Sequence, residues 1–214
     1  MDMVNILHDV GIVPVIKMDT PEHAVSLAQA LVRGGLPAAE ITFRSSAAVE
    51  SIGRIKAQVP DIFLCAGTVL TPEQAQQAVE AGAQAVISPG LNEATVRWCN
   101  DHQVPVIPGC ATPTEVEACM RLGLTLVKLF PAQVVGGVAM LKALSGPYAA
   151  MRFMPTGGIK PDNVSDYLSL KNVAACGGTW IVPDALLAAE RYAEIEQLAR
   201  QAAVLRDRVY GGTL

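Results

Sequence analysis

Two ionisable residues interrupt stretches that are otherwise almost wholly apolar: Lys128 in Leu126-Val127-Lys128-Leu129-Phe130-Pro131, and Glu40 in Ala38-Ala39-Glu40-Ile41-Thr42-Phe43. Lysine is almost never fully buried without a partner, so one flanked by aliphatic and aromatic side chains has two readings. In the first, its stem packs on apolar surface while the ammonium reaches water. In the second the head is desolvated; burial favours the neutral form of an amine, and a neutral amine attacks a carbonyl carbon to give a Schiff base. Glu40 divides in the same way, between a structural ion pair with Arg44 or Lys128 and a carboxylate that moves protons beside an amine. Arg44 follows the second stretch and carries a planar fork suited to a carboxylate, although a lone arginine there also serves as a solvated loop residue. Thr68 closes Leu64-Cys65-Ala66-Gly67-Thr68, and Gly-Gly turns stand in Thr156-Gly157-Gly158 and Gly177-Gly178-Thr179. Taken singly, each turn is a tight connection needing positive φ; taken together, they resemble backbone cradles for phosphate next to a helix N-terminus.

Such residues need a frame that brings them together. Eight short apolar runs lie at 12–17, 38–43, 62–68, 85–90, 104–109, 125–130, 152–158 and 172–178, with starts 26, 24, 23, 19, 21, 27 and 20 residues apart. Each interval has room for a helix that returns the chain to the same edge, as parallel strands require. Segments 21–35, 72–82 and 113–123 open on proline and close on glycine, the asymmetry of a helix start and stop. The runs are near-continuously apolar, so both sheet faces should be covered. The prediction is an α/β chain forming a (β/α)8 TIM barrel as one domain over 1–214, with a short leading helix at 2–10 and an amphipathic terminal helix at 184–208 before a frayed Gly211-Gly212. Pro14 in the first run argues against a central strand there. An open doubly wound sheet is the competitor, but its glycine fingerprint is missing where the chain reads Lys17-Met18-Asp19-Thr20. In a barrel the chemistry gathers at the carboxyl ends of the strands, where the residues above fall.

Composition narrows the function classes. Of 214 residues, 51% are apolar and only 17% charged, which excludes a disordered chain and a coiled coil. With 16 basic and 20 acidic residues the net charge is −4, so nucleic acid is not an expected partner. No uninterrupted apolar stretch approaches the ~18 residues of a spanning helix, and no membrane partner is expected. The opening Met1-Asp2-Met3-Val4-Asn5 lacks the pattern of a secretory signal, and five scattered cysteines without a CxxC pair fit reduced thiols; the expected location is cytoplasmic. His8, His23 and His102 show no ligand spacing, so no metal is expected.

Six strings, in order over nearly the whole chain, resemble the bacterial 2-keto-3-deoxy-6-phosphogluconate (KDPG) and 4-hydroxy-2-oxoglutarate (KHG) aldolases. They are Ala39-Glu40-Ile41-Thr42-Phe43-Arg44, Ala66-Gly67-Thr68-Val69-Leu70, Ser88-Pro89-Gly90, Val127-Lys128-Leu129-Phe130-Pro131-Ala132, Pro155-Thr156-Gly157-Gly158-Ile159 and Gly177-Gly178-Thr179-Trp180. The resemblance implies a class I, metal-independent and cofactor-free lyase that cleaves KDPG to pyruvate and glyceraldehyde 3-phosphate, and also KHG to pyruvate and glyoxylate. It implies Lys128 as the Schiff-base lysine and Glu40 as the general acid/base. Arg44 and Thr68 would hold the pyruvate carboxylate, Phe130 would pack on the pyruvyl portion, Pro89 would shape the wall, and Thr156 would influence stereochemistry at C4. Gly157, Gly158, Gly178 and Thr179 would cradle phosphate with Lys17 near by. Two departures are visible: the family more usually has serine at 179 and arginine at 17. The partner implied is a small phosphorylated 2-keto acid, and the assembly a homotrimer. The alternatives are the related 2-keto-3-deoxy-6-phosphogalactonate aldolase, a sugar-phosphate isomerase or epimerase barrel, which gives Lys128 no reason to be buried, and a non-catalytic barrel.

Overall fold

The computed structural model describes residues 3–211. The chain opens with α1 (Met3–Val10), β1 (Ile12–Ile16) and a 3-10 turn (Pro21–His23) running into α2 (Ala24–Arg33). β2 (Ala38–Thr42), α3 (Ala48–Gln58), β3 (Phe63–Gly67), α4 (Pro72–Ala81), β4 (Ala85–Ile87) and α5 (Glu93–Asp101) follow. Next come β5 (Val106–Ile107), β6 (Gly109–Cys110), α6 (Pro113–Arg121), β7 (Leu126–Leu129) and α7 (Gly137–Ser145). The last elements are β8 (Arg152–Phe153), α8 (Val164–Leu168), β9 (Cys176–Gly178), α9 (Asp184–Ala188) and α10 (Tyr192–Gly211).

All strand pairings among the described residues are parallel. Six strands form a curled sheet in the order β5-β4-β3-β2-β1-β9, and β6-β7-β8 form a second group. β5 and β6 are consecutive pieces of one sequence run, parted at Pro108, which has no N–H to donate. Isolated parallel bridges Phe153↔Val173 and Thr156↔Gly177 bring the segment from β8 onward alongside the segment leading into β9. Pro14 lies where the ladder to β9 ends, at Pro14↔Gly178, and the ladder to β2 begins, at Val15↔Glu40. Its missing donor falls at that changeover, which is how a proline is tolerated in a strand with neighbours on both sides.

Helix ends follow the local chemistry of the sequence. Thr71 caps α4 by accepting from the Gln74 N–H, Pro72 sits in the first turn, and Gly82 closes the helix at φ 112°. Thr112 and Glu115 form a reciprocal capping box on α6.

Strand side chains alternate between two apolar clusters. Outward residues such as Ile41, Leu64, Val86 and Val127 pack with Leu27, Leu31, Ile52 and other helix residues. Inward residues Val13, Ala38, Cys65, Ala85, Ile107, Leu126 and Met154 pack together over Leu7 and Val10 of α1, which plugs one end.

Several boundaries differ from the sequence reading. The terminal helix expected over 184–208 is broken: Glu190 adopts φ 55°, and the Arg191 N–H returns to the Leu186 carbonyl to terminate α9. α10 then lies against α2 and α8 and is helical to Gly211, while Gly212 lies outside the described residues. The segment at 21–35 begins as a 3-10 turn, and the 152–158 run pairs as a regular strand only at Arg152 and Phe153. The leading helix begins at Met3; Asp2 lies outside the described residues. Among the described residues, no helix is long and apolar enough to cross a membrane.

Candidate active site

Stepping two residues along a strand keeps the same face and advances ~6.6 Å, so the inward positions just above the apolar plug define a second layer. That layer holds Val15 above Val13, Glu40 above Ala38, Gly67 above Cys65, and Lys128 above Leu126. A cavity of about 220 Å³ opens above it at the carboxyl ends of the strands. Its walls include ten of the twelve residues singled out from sequence: Glu40, Arg44, Thr68, Pro89, Lys128, Phe130, Thr156, Gly157, Gly158 and Thr179.

Lys128 Nζ and Glu40 Oε1 are 3.1 Å apart, with 4% and 1% of their residue surfaces exposed. They are the only buried charged residues among those described. Glu40 therefore pairs with Lys128 and makes no contact with Arg44 of hydrogen-bond length. A buried pair loses much hydration, and its mutual attraction offsets that loss only with good geometry and further hydrogen bonds. Here, among the described residues, one carboxylate oxygen, Glu40 Oε2, has no partner, and neither has the buried hydroxyl of Thr156. Unsatisfied buried oxygens beside an amine are costly in a purely structural pair, but suit a chamber whose contents complete the hydrogen bonding. The Lys128 ammonium also lies 5.4 Å from the Phe130 ring centroid, an attractive arrangement over a π face.

Backbone shape makes room for these groups. A Cβ on Gly67 would overlap Glu40 Oε1 and come within 2.6 Å of its Cγ, so glycine at this point lets the carboxylate lean across β3. Gly177 does the same for Thr156, whose hydroxyl a Cβ would overlap. Thr68 holds φ 55°, a left-handed conformation unusual for a β-branched residue, directly at the cavity wall. Gly157 and Gly158, at φ 97° and 80°, form two successive left-handed residues, and among the described residues the Gly158 and Ile159 N–H groups make no hydrogen bond. Concave runs of backbone donors of this kind hold anions. The helices that follow the two glycine turns are five residues each, so the free donors at this wall are these amides rather than a helix end.

Two sequence candidates sit elsewhere. Lys17 pairs with Asp19 at 2.7 Å and lines an adjoining cavity with Arg44, Thr179 and Asp184. Gly178 does not face the main cavity; it gives passage to the Trp180 ring, which a Cβ there would overlap. Sequence reasoning missed Val15, Thr42, Ile159 and Gly177 in the lining. The period-two pattern carried a signal for Val15, Thr42 and Gly177, since each lies two or four residues beyond an inward apolar position.

Cys65, beneath the pair, is wholly buried. Desolvation, with the Glu40 charge adding to it and Lys128 opposing it, pushes this thiol far above its ordinary range, so it stays protonated and unreactive. Among the described residues no three His, Cys, Asp or Glu side chains gather to hold a metal.

The family model described as KDPG and KHG aldolase matches residues 3–198. A 2-dehydro-3-deoxy-phosphogluconate aldolase of Treponema pallidum (strain Nichols) is 47% identical over 195 residues, covering 91% of this chain and 93% of the relative. A KHG/KDPG aldolase of Escherichia coli (strain K12) is 47% identical over 191 residues, covering 89% and 90%. Among solved structures, a KDPG aldolase from Legionella pneumophila, with pyruvate captured at low pH as a covalent carbinolamine intermediate, superposes with TM-score 0.90 at 36% identity, covering 94% of this chain and 97% of that one.

Proposed function

The chain belongs to the KDPG and KHG aldolase family, and from that premise we propose that it is a class I aldolase cleaving KDPG to pyruvate and glyceraldehyde 3-phosphate, and KHG to pyruvate and glyoxylate. The observation that carries this is the buried Lys128–Glu40 pair at the floor of the cavity. Pyruvate captured as a carbinolamine in the Legionella pneumophila relative supports the same covalent chemistry here.

Glu40 takes a proton from the Lys128 ammonium, and the freed lone pair adds to the substrate C2 carbonyl to form a carbinolamine. The carboxylic acid so formed returns its proton to the C2 hydroxyl, which leaves as water and gives a protonated imine. Glu40, again a carboxylate, removes the C4 hydroxyl proton. The C3–C4 bond breaks, its electron pair passes into the imine to give an enamine, and the aldehyde departs. Protonation of the enamine at C3 by Glu40 yields the methyl group, and hydrolysis releases pyruvate and Lys128. The protonated imine is the electron sink, so no metal or cofactor is needed. One carboxylate within reach of nitrogen, hydroxyl and carbon serves every proton movement.

Arg44 and Thr68 hold the substrate carboxylate, Phe130 packs on the pyruvyl portion, and Pro89 forms the opposite wall. Thr156, with its unpartnered hydroxyl, faces the C4 hydroxyl and influences stereochemistry. Gly157 and Gly158 receive the phosphate of KDPG, with Thr179 and, across the adjoining cavity, Lys17 at its margin; Gly178 acts through the space it gives Trp180.

The chain forms a single (β/α)8 barrel over 1–214. The bridges Phe153↔Val173 and Thr156↔Gly177 support closure between the two strand groups, and Pro108 supports β5 and β6 as one strand. Five free, buried cysteines support a reducing, cytoplasmic setting. The family likeness supports a homotrimer. Pyruvate release from each substrate, with EDTA present, tests the activity: turnover unaffected by chelation is expected, and no release from either substrate would overturn it.

A further inference from the structure

Thr42 is a buried polar residue that the chemistry above leaves without a role. Its Oγ1 donates to the Ile16 carbonyl at 2.9 Å and accepts from Arg44 Nε–H at 3.1 Å. A hydroxyl has one proton, and once that proton is committed to Ile16, the face turned to Arg44 can only accept. The polarity of the contact is therefore set by the end of β1. Ser45 repeats the arrangement on the other side of Arg44, donating to the Met18 carbonyl. The turn that carries Arg44 is thus tied at both flanks to the segment leaving β1.

Arg44 makes no ion pair, and its Nε–H is the only donor engaged within the protein among the described residues. A guanidinium can receive a carboxylate either side-on, through Nε and one terminal nitrogen, or end-on, through both terminal nitrogens. With Nε occupied, the end-on mode is the bidentate one that leaves the Thr42 contact intact. We propose that Thr42 is a positioning residue for substrate binding: by holding Arg44 Nε it leaves the two terminal nitrogens as the fork that binds the substrate carboxylate. This rests on the aldolase function proposed above. It adds a residue that acts through Arg44 rather than on substrate, and a binding mode for the 2-keto acid carboxylate.

The test uses the full-length protein with pyruvate as the probe. Lys128 is trapped by borohydride over a range of pyruvate concentrations, and KM and kcat for KDPG cleavage are measured alongside, for wild type, Thr42→Val, Thr42→Ser, Arg44→Ala and Thr42→Val/Arg44→Ala. Loss of a hydrogen bond to a charged group should raise the half-saturating pyruvate concentration and KM by roughly tenfold in Thr42→Val, with kcat within about twofold. Thr42→Ser, which keeps the hydroxyl, should return both to near wild type. In the Arg44→Ala background, Thr42→Val should add nothing further. Thr42→Ala provides the same comparison where valine impairs folding, as judged by circular dichroism. An unchanged half-saturation in Thr42→Val, or the same rise with Arg44 already removed, overturns the positioning role while leaving the aldolase intact. Absence of pyruvate-dependent trapping in wild type overturns the aldolase function and the proposal with it.

Discussion

The inner face of the sheet has two halves built on the same strands, and they differ in kind. The lower half is dry: Val13, Ala38, Cys65, Ala85, Ile107, Leu126 and Met154 close over Leu7 and Val10 of α1. One or two inward steps higher, the half facing the cavity contains Glu40, Thr42, Lys128 and Thr156, all buried and all polar. The transition takes two residues, from Ala38 to Glu40 and from Leu126 to Lys128. A rigid apolar floor thus holds a small number of ionic and hydroxyl groups in place while excluding water from beneath them, which strengthens their mutual electrostatics. The lower half supplies stability, and the upper half gives up some stability for chemistry.

Three substitutions separate the halves. Lys128→Ala should reduce KDPG cleavage by on the order of thousandfold or more, since among the described residues no other lysine lines the main cavity. Circular dichroism should remain native, because the apolar floor beneath Lys128 is untouched. Leu126→Ala, one inward step below on the same strand, should do the reverse: a loss of about 2–5 kcal/mol in urea unfolding, with kcat and KM nearly unchanged at low temperature. A large fall in kcat for Leu126→Ala in folded protein would remove the distinction between floor and chamber. Gly67→Ala tests the space reserved for Glu40. Its new Cβ would displace the carboxylate, so kcat should fall roughly tenfold or more, with less effect on KM, because proton transfer depends on a fraction of an ångström.

The smallest expected effect lies outside both halves. The Glu115 carboxyl is held below its ordinary range by the Ala111 N–H and then by the Thr112 hydroxyl and N–H. A carboxylate whose folded value is depressed contributes stability above its unfolded value, near ~4.3, and loses it as pH falls through the lower folded value. Glu115→Gln should therefore cost about 1 kcal/mol or less at neutral pH, a difference that shrinks as acid protonates Glu115 in wild type, and turnover should be unaffected. Urea unfolding at neutral and acid pH reads this directly.

The inner layering explains what could be read from the chain. Charges inside apolar runs are conspicuous, so Glu40 and Lys128 stood out, and the structure places them 3.1 Å apart. Strand starts were legible because apolar runs change to polar, helix-period segments at glycine and proline. Thr42 was not legible, since threonine is ordinary in strands and its partners are the Ile16 carbonyl, 26 residues earlier, and an arginine outside the strand. Gly177 and Gly67 needed their cross-strand neighbours to be seen as spaces for Thr156 and Glu40. Lys17 matched by position but is paired with Asp19 two residues on, a local competitor invisible to motif matching. The break at Glu190 has neither glycine nor proline to announce it; docking of α10 against α2 and α8 outweighs local propensity there.

The central claim is that Lys128 forms a covalent imine with a 2-keto acid, and the most direct measurement is borohydride reduction with and without pyruvate, in EDTA, followed by peptide mass mapping. One reduced pyruvyl group on the peptide bearing Lys128, absent without pyruvate and absent from Lys128→Ala, is the expected result. No adduct, or an adduct on a different lysine that persists in Lys128→Ala, would contradict it.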